Sequence, residues 1–565
     1  MHADNSALTE RSEPSKVTFL RKSEKKENEF ERRGPKGRFC KITRNCSTLG
    51  AGLILILAAL ILHFSWDELI SLAINKEFTL TEKSKSHDLW VKNTIPLYLN
   101  FYFFNWTNPS DMKSPSYKPE FEEVGPYRFR EEIEKVDVRW NDNGTVTYKK
   151  LRKWYFVPEG SRGTLNDTIT TLNVVALAAA HSTKSWVSIA KGPISMALSG
   201  TQRIHITKRA GEFLFEGYED PLISLANSIP GLSEQVPFDR FGWFYKRNGS
   251  TEFDGVFNME TGSNGMENFG KLMYWNYGNR TSFYEGQCGE IRGSAGEFWP
   301  PKISKDEDLY FFTPDLCRFI GFRYTEETSV KELHGYRYEP GYLLFDNGTI
   351  DPANECFCGG ECVPSGTVNV SSCRLGTPGF ISYPHFYLAD PYYRENVIGM
   401  RPDPNRHEMY MILEPNLGIP LEVVARLQIN ILVRPDPHIG LYAGVPKVFF
   451  PMIWFEQKVT IPDEMIFSIK ILLTLPILGM ISYIILYATG FTFICIYASR
   501  KCFANTRKTL SRISRHQKTR DHFIQEYNNT KILRFMNREN KEQHRHINSL
   551  VCPILVPVTC AAPSR

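Results

Sequence analysis

Between Asn354 and Cys373 the chain reads "NECFCGGECVPSGTVNVSSC", four of its twelve cysteines within twenty residues. Thiols at this density either ligate a metal or pair as disulfides. A zinc knuckle calls for Cys-x₂₋₄-Cys pairs repeated at finger-like spacing in a reducing compartment; the arrangement here is C-x-C-x₃-C-x₁₀-C. With Cys288 and Cys317 the set becomes Cys288, Cys317, Cys356, Cys358, Cys362 and Cys373, even in number and confined to under ninety residues. In an oxidising space such a set reads as three disulfides, and the residues alone leave all fifteen pairings open. A second constellation, "YPHFYLADP" (Tyr383 to Pro391), holds His385 and Asp390. Single His and Asp residues beside prolines in an aromatic stretch read as packing and turn residues. The chain has no G-x-x-x-x-G-K-[ST], no H-E-x-x-H and no G-x-S-x-G, so no motif points to nucleotide-driven pumping, zinc-dependent hydrolysis or a nucleophile elbow. No catalytic residue, metal or cofactor is expected. The third group is basic: Lys184, Lys191, Arg203, His205, Lys208 and Arg209. Its functional reading is a cationic surface for anionic lipids or lipoproteins; the competing reading is a solvated helix face.

Which chemistry applies depends on where the chain lies. "LGAGLILILAALIL" (Leu49 to Leu62) opens a run of roughly 18–20 residues without a formal charge, enough to cross a hydrocarbon core. A second run extends from Ile471 to Ala498, with Lys470 at its outer end. Residues 1–46 carry 12 Lys/Arg against 7 Asp/Glu, and residues 499–565 carry 14 against 4. Arg38, Lys41, Arg44, Arg500 and Lys501 flank the spans, so the positive-inside rule places both termini in the cytoplasm. The overall charge is +5, which leaves the middle of the chain net acidic. The basic pI describes the tails and is no argument for nucleic acid. Gly50, Ala51 and Gly52 could form a close-packing face between spans.

The expected layout is a cytoplasmic tail (1–46), a first span (47–66), an extracellular domain (67–465), a second span (470–498) and a basic cytoplasmic tail (499–565). Seven N-x-S/T sequons fall in the middle segment, at Asn105, Asn143, Asn166, Asn248, Asn279, Asn347 and Asn369. Three of them are Asn-Gly dipeptides, the residues of tight turns, where a glycan disturbs no core. Strand signals dominate. "VDVRWNDNGTVTYKK" alternates about an Asn-Gly turn, and "GYLLFDNGTI" and "FGWFYKRNGSTEF" repeat the pattern. Thr168 to Glu216 reads instead as a helical cluster.

"FEEVGPYRFRE" (Phe121 to Glu131), "FGWFYKRNGS", "FFTPDLCRFI" (Phe311 to Ile320) and "CRLGTPGFISYPHFYLADP" (Cys373 to Pro391), set between two anchors, resemble the class B scavenger receptors. The resemblance covers the whole loop and both anchors and omits only the tails. It implies an α+β membrane protein: two transmembrane helices flanking an ectodomain with an antiparallel β-barrel core, a helical-bundle apex and a lipid tunnel. It implies the pairing Cys288–Cys356, Cys317–Cys373 and Cys358–Cys362, makes the basic residues a ligand-capture apex, and puts palmitoylation on Cys40, Cys46, Cys495 or Cys502. "SMALSGTQR" stands where some relatives carry a Lys-x-Lys pair, so their ligand preferences do not transfer. The implied function is a cell-surface receptor for lipids or lipoprotein particles that passes sterols, fatty acids or carotenoids into the bilayer. The chain is similar to insect members, some of which take up carotenoids. The alternative is recognition of apoptotic cells, particles or a lysosomal protein without lipid flux. No acidic dileucine signal is found, which favours the plasma membrane over a lysosomal or endosomal one. The expected partners are lipids and the bilayer, with homo-oligomers left open.

Overall fold

The computed structural model describes residues 36–93, 95–114, 116–228, 236–374 and 376–528; the side chains of residues 36–46, of 526–528 and of a few isolated positions lie outside the description. The chain divides into two compact units, one formed by residues 1–66 with 477–565 and the other by residues 67–476.

The first unit contains most of two long helices, α1 (Lys36–Phe78) and α8 (Asp463–Asn528). Each is long and apolar enough to cross a membrane. Within this unit the helices approach closely at Gly52 and Gly490. A Cβ on Gly52 would lie 3.0 Å from the Gly490 carbonyl oxygen, and one on Gly490 would lie 3.0 Å from that of Gly52. Absence of side chains lets two backbones touch, so dispersion acts over a larger contact. Of the small residues at Gly50, Ala51 and Gly52, it is Gly52 that makes this contact; Gly50 faces open space.

The second unit is built on strands. In chain order they are β1 (Leu97–Trp106), β2 (Phe121–Trp140), β3 (Thr145–Phe156), β4 (Thr168–Leu172) and β5 (His205–Arg209). Next come β6 (Val256–Glu260), β7 (Leu272–Trp275), β8 (Leu309–Thr313), β9 (Arg318–Val330) and β10 (Leu333–Glu339). The last are β11 (Val368–Asn369), β12 (Gly379–Ser382), β13 (Tyr410–Glu414), β14 (Ile419–Val433) and β15 (Val448–Thr460). Thirteen form one antiparallel sheet with the path β7-β6-β3-β2-β1-β15-β14-β13-β10-β9-β8. The long β14 pairs with β13 along its first half and with β12 along its second, and β11 extends β12. Pro451 in β15 has no N–H for the ladder, and the register shifts opposite it, between Ile429 and Asn430.

Gly293 and Ser294 bring the two sheet edges together. Leu272 of β7 donates its N–H to the Gly293 carbonyl (2.9 Å). Ser294 donates to Tyr310 of β8 (2.9 Å) and accepts from Phe312 (2.9 Å). Gly293 has φ +86° and its missing Cβ would collide with the Tyr310 carbonyl, so a side chain there is excluded twice over. This seam nearly closes the sheet into a barrel and leaves few bare edge groups.

The β2–β3 hairpin forms as its alternation predicts, with Gly144 at φ +77° in the turn. The other two Asn-Gly segments differ from expectation. Gly341–Phe345 is a 3₁₀ turn that buries the adjacent pair Leu344 and Phe345, and around Asn248 the buried residues Phe244 and Arg247 are three apart. Neither burial pattern has the period of two that a strand requires.

Short helices complete the unit: α2 (Lys85–Val91), α3 (Val174–Ser182), α4 (Gly192–Thr201), α5 (Pro221–Ser228), α6 (Pro391–Glu395) and α7 (Pro404–His407). The stretch from Thr168 to Glu216 is therefore helical in its middle and in a last turn at Glu212–Glu216, and not throughout. Its flanks pair as β4 and β5, where β-branched Thr168, Ile169, Thr170, Thr171, Ile206 and Thr207 favour a strand.

Candidate functional site

The segment expected to form the apex is a β4–β5 ribbon enclosing α3, a 3₁₀ turn (Ser188–Lys191) and α4. Asn173 caps α3 by accepting from Ala176 N–H (3.1 Å), as Asn does at helix starts. Its Nδ2 donates to Gln202 (2.8 Å), whose Nε2 donates to Asp220 (3.3 Å) at the start of α5. This polar chain ties the helices over a floor of Val174, Ala176, Leu177, Leu198 and Ile223. From the loop after β14, Gly440 N–H donates to Ser195 (2.9 Å) and fixes α4 from outside.

The structure divides the six basic residues. Lys184 and Arg203 are exposed. Lys191 is buried at 7 % exposure and its ammonium lies 2.8 Å from Asp436; it ties the apex to the loop after β14 and is withdrawn from any ligand. His205, Lys208 and Arg209 lie on β5, not on a helix. The Lys208 ammonium sits 5.1 Å over the Tyr218 ring, and Arg209 pairs with Glu212 and Glu216. Burial, then the neighbouring Arg203, lowers the pKa of His205. Lys191, His205 and Lys208 are thus buried or half-buried, while Lys184, Arg203 and Arg209 stay exposed. Apolar side chains, which the basic-residue reading missed, are exposed there as well. Val187, Ile189 and Met196 are 74 %, 92 % and 78 % exposed, with Trp186 half-exposed beside them. Their signal was present in "SWVSIAK": an apolar run in a loop too short to bury it.

Below the apex, the one-turn π-helix Glu212–Glu216 feeds aromatic side chains toward the barrel strands. Phe213 meets Phe103, and Phe215 lies 4.8 Å from Phe129 and 5.5 Å from Trp154. Phe244 is 4.8 Å from Phe101 and 6.5 Å from Phe455. An apolar aromatic file therefore joins the segment leaving the apex to β1, β2, β3 and β15.

His385 belongs to a different assembly. With Glu123 and His407 it brings three potential metal-ligand atoms within 4.8 Å of one another. The surrounding donors argue against ligation. Arg401 N–H donates to His385 Nδ1 (3.1 Å), and Asp403 N–H donates to His407 Nδ1 (2.9 Å). Each Nδ1 therefore acts as an acceptor and the ring proton sits on Nε2, the atom a metal would need bare. His385 Nε2–H donates to Glu123 (2.6 Å), which also accepts from Trp454 (2.9 Å) and Arg406 (2.8 Å). Burial by itself would raise the Glu123 carboxyl, but His385 and Arg406 hold it down at about 2. The group is a clamp joining β2, β15 and α7. Asp390 caps α6 by accepting from Tyr392 N–H (2.8 Å).

Disulfides join Cys288 to Cys356, Cys317 to Cys373 and Cys358 to Cys362, with Cα separations of 5.8, 6.4 and 4.7 Å. The sequon residues Asn143, Asn166, Asn248 and Asn279 are exposed, whereas Asn105, Asn347 and Asn369 are half-buried. Asn347 Nδ2 donates inward to Val363 (2.8 Å). Cys495 is exposed and Cys502 half-buried; the side chains of Cys40 and Cys46 lie outside the described residues.

Comparison with known proteins agrees with this architecture. The family model for the CD36 family matches residues 49–500. Protein peste of Drosophila melanogaster is 39 % identical over 81 % of this chain and 83 % of its own. Scavenger receptor class B member 1 of Cricetulus griseus is 32 % identical over 81 % and 89 %. Lysosome membrane protein 2 of Homo sapiens is 33 % identical over 82 % and 96 %. Two apolar helices flanking a nearly closed antiparallel barrel, and a match spanning both helices and the domain between them, make this chain a member of the CD36 family.

Proposed function

We propose that the protein is a non-enzymatic receptor that captures lipids or lipid-carrying particles at its apex and passes hydrophobic cargo through the barrel into the membrane. The observations that support this reading are an exposed apolar tip, Trp186, Val187 and Ile189, and an aromatic file, Phe213, Phe215 and Phe244, packed against the barrel strands. Moving a chain of about 16 methylenes through water costs on the order of 13 kcal/mol. An apolar conduit removes most of that barrier and needs no energy source when cargo moves down its own gradient. Capture then rests on apolar insertion more than on charge. Both termini face the cytosol, the exposed sequons at Asn143, Asn166, Asn248 and Asn279 are available to glycosylation on the outer side, Cys495 and Cys502 can accept acyl chains, and the plasma membrane is the working location.

The test is cellular uptake of labelled sterol, fatty acid and carotenoid, normalised to surface protein. Ile189→Asp should reduce particle binding and uptake together. Leu99→Trp, which adds bulk on β1 beside the file, should leave particle binding intact and reduce uptake. Equal loading by the Leu99→Trp and unmodified proteins would refute passage through the barrel.

A further inference from the structure

The α8 helix does not end with the apolar run. It continues to Asn528 with no glycine or proline after Gly490. Over residues 500–525 the described side chains, apart from half-buried Cys502, are exposed. At 100° per residue, seven of the eight Lys/Arg residues, Arg500, Lys501, Arg507, Lys508, Arg512, Arg515 and Lys518, fall on an arc of roughly 140°, with Arg520 outside it. Phe503, Leu510, Ile513 and Ile524 fall on the opposite side, at i, i+7, i+10 and i+21. Phe503, Leu510 and Ile513 are 75 %, 60 % and 51 % exposed. This is a basic amphipathic helix whose cationic and apolar faces are both exposed among the described residues.

Three occupants could cover it, and the geometry separates them. A helix lying flat on a bilayer must turn through about a right angle from one that spans it, and turning needs a break such as Pro, Gly or a π-bulge. None occurs in this segment. A second copy would align the apolar positions in a seam but leave both cationic arcs facing outward with no counter-charge. An acidic protein with an apolar groove satisfies both faces of a straight, projecting helix without bending it. We propose that residues 500–525 are a docking helix for a calcium-loaded EF-hand sensor, whose Met-rich groove takes Phe503, Leu510 and Ile513 while its acidic rim meets the cationic arc. In the cell this requires the C-terminal tail to face the cytosol, so it rests on that part of the proposed topology.

The test uses the full chain in phosphatidylcholine nanodiscs, where both membrane faces are open, titrated with fluorescent calmodulin in calcium and in chelator. Binding should be calcium-dependent. Leu510→Glu and Ile513→Glu should each weaken it about tenfold or more, because a buried charge replaces an anchor. The pair Arg512→Gln and Arg515→Gln should weaken it less and flatten its salt dependence. No calcium-dependent binding, or binding indifferent to Leu510→Glu, overturns the proposal. So does protection of residues 500–525 from hydrogen exchange by phosphatidylserine nanodiscs with none by calmodulin, which would make the bilayer the occupant. An epitope placed after Asn528, read in intact and permeabilised cells, tests the topology separately.

Discussion

His407 is fully buried, and its Nε2–H has no hydrogen-bond partner among the described residues. Its only other nitrogen accepts the Asp403 amide, so a second proton must displace a backbone hydrogen bond. Burial, then His385 and Arg406, lower its pKa from 6.5 to about 3. Because the folded value lies below the unfolded one, the neutral ring contributes in full above pH 6.5, and the contribution is lost as pH falls from 6.5 toward 3. Linkage gives a loss of about 2 kcal/mol between pH 7 and pH 5, approaching about 5 kcal/mol below pH 3. His407→Asn keeps an acceptor for Asp403 N–H and cannot take the proton. The variant starts less stable at pH 7, where it leaves a small void. Between pH 7 and pH 5, however, it should lose about 2 kcal/mol less than the unmodified protein. For a unit of this size the difference amounts to about 2 °C in the melting midpoint. The assay is tryptophan-fluorescence unfolding of the full chain in zwitterionic nanodiscs across that pH range. His181, which burial followed by Lys184 and Arg434 lowers to about 4, and His205 contribute equally to both proteins and cancel. Parallel pH profiles for the two proteins would refute the assignment.

Three further outcomes follow from the fold. Glu297→Gln should cost about 3–5 kcal/mol, because it strands the buried Lys135 ammonium, 2.8 Å from the carboxylate; the urea midpoint measures this, and Lys135→Met with Glu297→Gln together should recover much of the loss. Gly293→Val should open the barrel seam, seen as loss of hydrogen-exchange protection at Leu272 and Phe312 before global unfolding. Replacing Cys317 and Cys373 by Ser removes a bridge between residues 56 apart in sequence and should cost about 4 kcal/mol on the chain-entropy estimate, read as reduced surface delivery and a lower melting midpoint.

Much of the architecture was legible because it rests on local signals. Two uncharged runs announce the spans, since lipid demands continuous apolar length, and the β2–β3 hairpin follows from alternation about Asn143-Gly144. The capture surface was legible only in part. Lys191 reads as a surface cation like Lys184, and nothing local reveals that Asp436, 245 residues on, lies against it. His385 similarly reads as a lone residue in an aromatic stretch. Its partner Glu123 is 262 residues away.

The residue order by itself determined the span positions, the segregation of positive charge to the tails, the oxidisable cluster of six cysteines and the largely strand-built middle. These are properties of composition and short-range period, which act before the chain folds. Tertiary structure alone decided that Gly293 and Ser294 join β7 to β8, that β5 rather than a helix carries His205, Lys208 and Arg209, and that apolar side chains dominate the exposed tip. Each of these depends on which distant groups satisfy a charge, an amide or a buried face. That is settled only when long-range pairing has been made.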